Sequence, residues 1–227
     1  MSLQGIVFDF DGVIANSEPL HFLGFREVLA DAGVVLSESD YYARYLGYDD
    51  AGAFRAIAAD RGLSWSDEAV HGLVARKAVR MEVLEAERGV LFPGAAEAIR
   101  RLADAGPLAI ASGALRSEIC RLLEREGLIQ HFVLIVGAED VETSKPSPAP
   151  YLKAVAGLAA ARTGVHDTAR YVAIEDSQWG LESASRAGLR TVAITHTYPA
   201  EALRADWTVA NLNDLSWQSL ERLVVSV

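Results

Sequence analysis

Cysteine is nearly absent from this chain of 227 residues. Cys120 stands alone, so no disulfide can form within the chain and the fold rests on its core. Long apolar runs are missing too: no stretch reaches the roughly 18 residues of a membrane-spanning helix, and no membrane partner is expected. The N-terminus lacks a basic segment followed by a long apolar stretch, so no secretory leader is expected and the chain is read as cytoplasmic. Positive charge is scarce, with 21 Lys and Arg against 31 Asp and Glu and a formal net charge of -10. Such a surface repels phosphate backbones. That excludes a broad nucleic-acid interface and leaves room only for a local cationic site for a small anion. Internal repeats are also lacking, and nothing in the sequence signals an oligomeric state.

What is present is a hydrophobic share of 51%, enough for one large α/β domain or for a core with a smaller insert. "GIVFDF" (5–10) reads as a short buried strand broken by Gly12. From Leu20 to about Glu87 every apolar pattern has helical spacing, and Gly33 and Gly62 stand where helix C-terminal caps belong. After "LFPG" (91–94) strands and helices alternate. Strands are expected at 107–112, 132–137, 170–176 and 190–195, with a short one in "DWTVA". Helices are expected in "AAEAIRRLADAG", "LRSEICRLLEREG", "PAPYLKAVAGLAAARTG" and "GLESASRAG", and a closing one over 217–224. Cys120 falls in the second of these as a half-buried helix residue. Such alternation implies βαβ crossovers and a parallel sheet. The expected organisation is a discontinuous α/β core of 1–15 and 91–227, with an all-helical insert of 16–90 and hinges near 15–19 and 87–92.

In an open parallel sheet, ligands bind at the carboxyl ends of the strands. The first strand ends in Asp9, Phe10, Asp11 and Gly12, and the next in Ser112 and Gly113. The loop after the third carries Lys145, and the fourth ends in Glu175, Asp176 and Ser177. Asp9 and Asp11, two apart, are expected to lean to one face. Up to four crowded carboxylates need a counter-ion or a shared proton. Lys145 answers part of that need, and a hard divalent cation such as Mg²⁺ the rest. Ser112 and the backbone N–H groups near Gly12 and Gly113 can donate to anionic oxygens, unless Ser112 simply caps the following helix. The set suits phosphoryl transfer: one carboxylate attacks phosphorus, and a second handles the leaving-group proton.

"DFDGV", "ASG", "SKPSPAPY" and "IEDSQWG", in this order, resemble the four motifs of the haloacid dehalogenase superfamily, in the helical-cap branch that includes β-phosphoglucomutase and phosphoglycolate phosphatase. The resemblance spans nearly the whole chain. It implies a three-layer α/β/α core with a parallel sheet, a small helical cap inserted after the first strand, and Mg²⁺ as cofactor. By position it implies Asp9 as nucleophile and metal ligand, and Asp11 as general acid/base with its backbone carbonyl on the metal. Ser112, Gly113 and Lys145 would bind phosphate. Asp176 would bind metal, with Glu175 acting through metal-bound water or by holding Lys145. The implied activity is hydrolysis of a small phosphorylated metabolite. A phosphomutase and, more remotely, a phospho-accepting receiver module are the alternatives.

In the insert, His21, Arg44, Tyr48 and Asp50 are candidates for substrate contact. Asp49 and Asp50 stand where β-phosphoglucomutase-like caps carry a basic residue, which disfavours a second phosphate. Arg76, Lys77 and Arg80 read as a solvated basic helix face, and Tyr151 and Trp179 as packing residues.

Overall fold

The structure, a computed structural model, describes residues 2–46, 48–160 and 167–225. The chain divides into two compact units: residues 1–16 with 91–227, and residues 17–90.

The first unit is built on six parallel strands, β1 (Gly5–Phe8), β2 (Leu108–Ala111), β3 (Phe132–Val136), β4 (Tyr171–Glu175), β5 (Arg190–Ile194) and β6 (Trp207–Val209), in the order β3-β2-β1-β4-β5-β6. Of the inner strands, β1, β2 and β4 are buried along their whole length, which is why they read as unbroken apolar runs. One face carries Val7, Ala109, Ala111, Tyr171 and Ala173. It packs on Tyr151, Ala154 and Leu158 of α7 (Ala149–Ala160) and on Ala184 of α8 (Gln178–Arg186). Alternation sends Ile6, Phe8 and Ile174 to the opposite face. The unit's other helices are α5 (Ala95–Ala105), α6 (Arg116–Arg125) and α9 (Trp217–Val225). The expected helix over 148–164 is therefore present as far as residue 160, and its last residues lie outside the described ones.

The opening strand is shorter than expected. After Phe8 the chain turns, because the carbonyl of Phe10 accepts hydrogen bonds from both Ile14 and Ala15 at 2.9 Å. Strand alternation therefore does not extend to Asp11, which sits in the turn. Ala15 bridges to Leu91, and Phe92 donates to the Ile14 carbonyl at 3.0 Å.

The second unit is helical: α1 (Glu18–Asp31), α2 (Glu38–Arg44), α3 (Asp50–Asp60) and α4 (Asp67–Arg88). Gly33 and Gly62 follow α1 and α3 with positive φ, as expected of C-terminal caps. Ser37, Asp49 and Ser66 cap the N-termini of α2, α3 and α4 through their side-chain oxygens. The core gathers Phe22, Phe25, Leu29, Tyr41, Phe54 and Ile57, with the Phe25 and Phe54 rings edge-on at 4.9 Å. Among the described residues no helix is long and apolar enough to cross a membrane.

Candidate active site

Strand order reverses between β1 and β4, and such a point opens a crevice at the strands' carboxyl ends. Asp9 is the first residue beyond β1. Its N–H donates to the Ile174 carbonyl at 2.9 Å, which sets it level with Glu175 at the end of β4. Lys145 arrives from the loop between β3 and α7, next to a cis Lys145–Pro146 peptide. Its Nζ lies 2.6 Å from Asp9 Oδ1 and 2.6 Å from Glu175 Oε1. The sequence motifs most distant in the chain thus meet on one ammonium.

Glu175 is wholly buried and its carboxylate is saturated. Oε1 accepts from Lys145 Nζ and, at 2.8 Å, from the Tyr151 hydroxyl. Oε2 accepts from the N–H groups of Asp176 and Ser177 and from Ser177 Oγ. Ser177 Oγ in turn accepts from Gly180 N–H at the start of α8. A Cβ at Gly180 would stand 1.8 Å from Glu175 Oε1, so only glycine lets this helix turn close on the carboxylate. Tyr151, expected as a packing residue, is buried but also donates this hydrogen bond, and Lys145 Nζ sits 5.1 Å from its ring centroid. Trp179, also expected to pack, is 61% exposed, because α8 presents that position to solvent.

Burial pushes the Asp9 carboxyl well above the ordinary aspartate value; Lys145 works against that, while Glu175 and Asp176 add to it. Burial also raises Asp176, to about 6, although a hydrogen bond from Thr197 opposes the shift. Burial disfavours the Lys145 ammonium, but Asp9 and Glu175 outweigh it and hold the group above the usual lysine value. Ligand oxygens of Asp9, Glu175 and Asp176 all lie within 4.8 Å of one another. An all-oxygen, buried, anionic set is the donor chemistry of a hard divalent cation. Since five donors already engage Glu175, Asp9 and Asp176 carry the fit and Glu175 stands behind them.

Ser112 is buried one residue beyond β2, next to β1 in the sheet, and Gly113 is exposed beside it. Ser112 does not cap α6, whose N-cap position is Leu115. Its Oγ instead accepts from the Ala114 N–H at 3.0 Å and closes a local turn. Two residues that the sequence reading missed, Thr197 and His196, join the rim around Gly12. A Cβ at Gly12, where φ is +79°, would lie 1.9 Å from Asp176 Oδ2 and 2.9 Å from Thr197 Oγ1. His196 Nδ1 lies 3.0 Å from the Gly12 carbonyl oxygen. The "THTYP" stretch after β5 carried the signal, as another polar run at a strand end.

In the helical unit, His21 and Asp50 both meet Lys77. Lys77 Nζ is 2.8 Å from His21 Nδ1, pairs with Asp50 Oδ1, and sits 4.1 Å from the Phe25 ring centroid. Lys77 is completely buried, so the expectation of a solvated face fails at this position. On a helix 22 residues long it points inward with Leu73, Met81 and Leu84, while Arg80 stays half exposed and pairs with Glu27. Burial, reinforced by Lys77, lowers His21 to about 4. Arg44 pairs instead with Asp60, and Tyr48 is exposed.

A family model described as haloacid dehalogenase-like hydrolase matches residues 6–194. The chain belongs to the haloacid dehalogenase-like hydrolases. Within the family it is similar to the protein CbbY of Rhodobacter capsulatus, at 32% identity over 98% of this chain and all of that one. It is also similar to the fructose-1-phosphate phosphatase YqaB of Escherichia coli K12, at 29% identity over 84% of this chain and 95% of that one. A mutant CbbY from Rhodobacter sphaeroides, solved in complex with xylulose-(1,5)bisphosphate, superposes with a TM-score of 0.76 at 26% identity, covering 94% of this chain and 96% of that one.

Proposed function

We propose that this hydrolase is a Mg²⁺-dependent phosphatase acting on a small phosphorylated metabolite, of sugar-phosphate or phosphoglycolate type, through an aspartyl-phosphate on Asp9. The observation that carries the reading is the bridge from Lys145 to Asp9 and to the buried Glu175, beside Asp176. Lys145 opposes the burial that raises Asp9 and so favours its ionised form, the form that presents an oxygen to phosphorus. An Asp9 oxygen bonds to phosphorus as the bond from phosphorus to the leaving alkoxide breaks, and Asp11 gives that alkoxide its proton. Asp11 then takes a proton from water, whose oxygen attacks the aspartyl-phosphate, releasing phosphate and restoring Asp9.

Ser112, the Gly113 N–H and Lys145 hold the phosphoryl oxygens. Asp9, Asp176 and the Asp11 backbone carbonyl would hold Mg²⁺, which when bound neutralises charge on the transferring group. The segments 15–19 and 87–92 serve as hinges of a cap formed by 16–90, where His21 and Asp50 contribute to substrate choice. In the mutase alternative the insert needs a cation for a second phosphate. Asp50, already paired with Lys77, supplies the opposite charge.

A phosphate-release screen over a metabolite library tests the reading. Turnover should require Mg²⁺, and Asp9→Asn should lower kcat by ~10³-fold or more. Asp11→Asn should lower it ~10²- to 10⁴-fold. Turnover that survives Asp9→Asn, or no release from any ester, overturns it.

A further inference from the structure

The loop that follows β5 reaches past the end of β4 to the turn after β1. There the His196 ring stacks on Phe92, with centroids 3.9 Å apart and planes 22° from parallel, while Nδ1 faces the Gly12 carbonyl at 3.0 Å. A carbonyl only accepts, so Nδ1 carries the proton and donates. The peptide on the other side of Gly12 is also tied, its N–H donating to the Ala15 carbonyl at 2.8 Å. Phe92, the stacking partner, donates its own N–H to Ile14. The next residue in the loop, Thr197, hydrogen-bonds Asp176, whose carboxylate packs directly on Gly12. A single loop thus grips both the turn that contains Asp11 and the carboxylate of Asp176, and its ring is itself clamped by Phe92.

We propose that His196 is a positioning residue that holds the turn at Asp11 and Gly12, and with it the carbonyl and carboxyl of Asp11, in the geometry that phosphoryl transfer requires. This rests on the phosphatase reading above. His196 does not touch the reacting atoms. It acts through one donated hydrogen bond and one stacked ring, and it restrains a glycine that could otherwise sample many conformations. Small displacements of a proton-transfer group are costly to rate, and partners behind a metal site commonly matter ~10- to 100-fold.

The test compares three substitutions in the full chain. His196→Phe keeps the stack and removes the donor. His196→Asn places an amide nitrogen near the Nδ1 position, and His196→Gln places it one carbon further. Phosphate release from the best ester of the screen should fall ~10- to 100-fold in kcat for His196→Phe and His196→Gln, with KM within ~3-fold, whereas His196→Asn should stay within ~3-fold of the parent. The Gly12 carbonyl ¹³C resonance gives an activity-independent readout: it should shift in the Phe and Gln variants and return toward the parent in Asn. Equal kcat in all variants, or equal loss in Asn and Gln, overturns the inference. If His196→Phe does not fold, the contrast of Asn with Gln decides alone. A parent chain that releases no phosphate overturns the phosphatase reading; the carbonyl shift then still reports whether His196 holds the turn.

Discussion

Glu175 holds Lys145 from behind while Asp9 holds it from in front, each at 2.6 Å from the same nitrogen. With Glu175 fully buried and Lys145 largely so, each charge is tolerable only because the other is there. Glu175→Gln leaves a buried ammonium short of a partner and should cost about 3–5 kcal/mol in denaturant unfolding. Tyr151→Phe removes one of five donors to the same carboxylate and should cost only about 1 kcal/mol. Equal costs would show that the carboxylate is not the centre of this network.

Gly12→Ala combines a positive φ with a Cβ 1.9 Å from Asp176 Oδ2. Strain of about 1–2 kcal/mol is expected from the backbone alone. Displacement of Asp176 should add a ~10- to 100-fold loss in Mg²⁺ affinity by titration calorimetry. Wild-type affinity in this variant would mean that Asp176 is not a ligand.

Metal removal should be visible without substrate. Repulsion among Asp9, Glu175 and Asp176 is relieved when a cation binds the folded state only, so the melting temperature should climb with Mg²⁺ concentration. The gain at a hundred times Kd is about 2.7 kcal/mol. Chelation should reverse it, and Asp176→Asn should flatten it.

His21 should remain neutral down to about pH 4, followed through its imidazole NMR signals. Its folded value lies below the ordinary 6.5, so between the two values the unfolded chain binds the extra proton. The stability contributed by neutral His21 is therefore complete above pH 6.5 and is lost as pH falls toward 4, by about 2–3 kcal/mol. Lys77→Met should raise the His21 value, since Lys77 lowers it, and Asp50→Asn should lower it further. Opposite shifts would contradict the buried arrangement of these three groups.

Much of this molecule was written in local pattern. Buried parallel strands read as apolar runs, helices as amphipathic periods closed by glycine, and the polar tips "DFDG", "ASG", "SK" and "IED" marked the strand ends, because each signal depends on a few neighbouring residues. Those tips sufficed to single out Asp9, Lys145, Glu175 and Asp176, which the structure brings together. The sequence alone thus determined the fold class, the family and the chemistry available at one rim. Tertiary structure alone decided which partner each group received: Tyr151 turned its hydroxyl to Glu175, and Lys77 was drawn inward by His21 and Asp50. It also brought His196 across a neighbouring strand end to Gly12. Such contacts join residues 24 to 184 positions apart, and hydrogen bonding and burial of that kind follow from strand order in the sheet and from helix packing in the helical unit, which no short window of sequence contains.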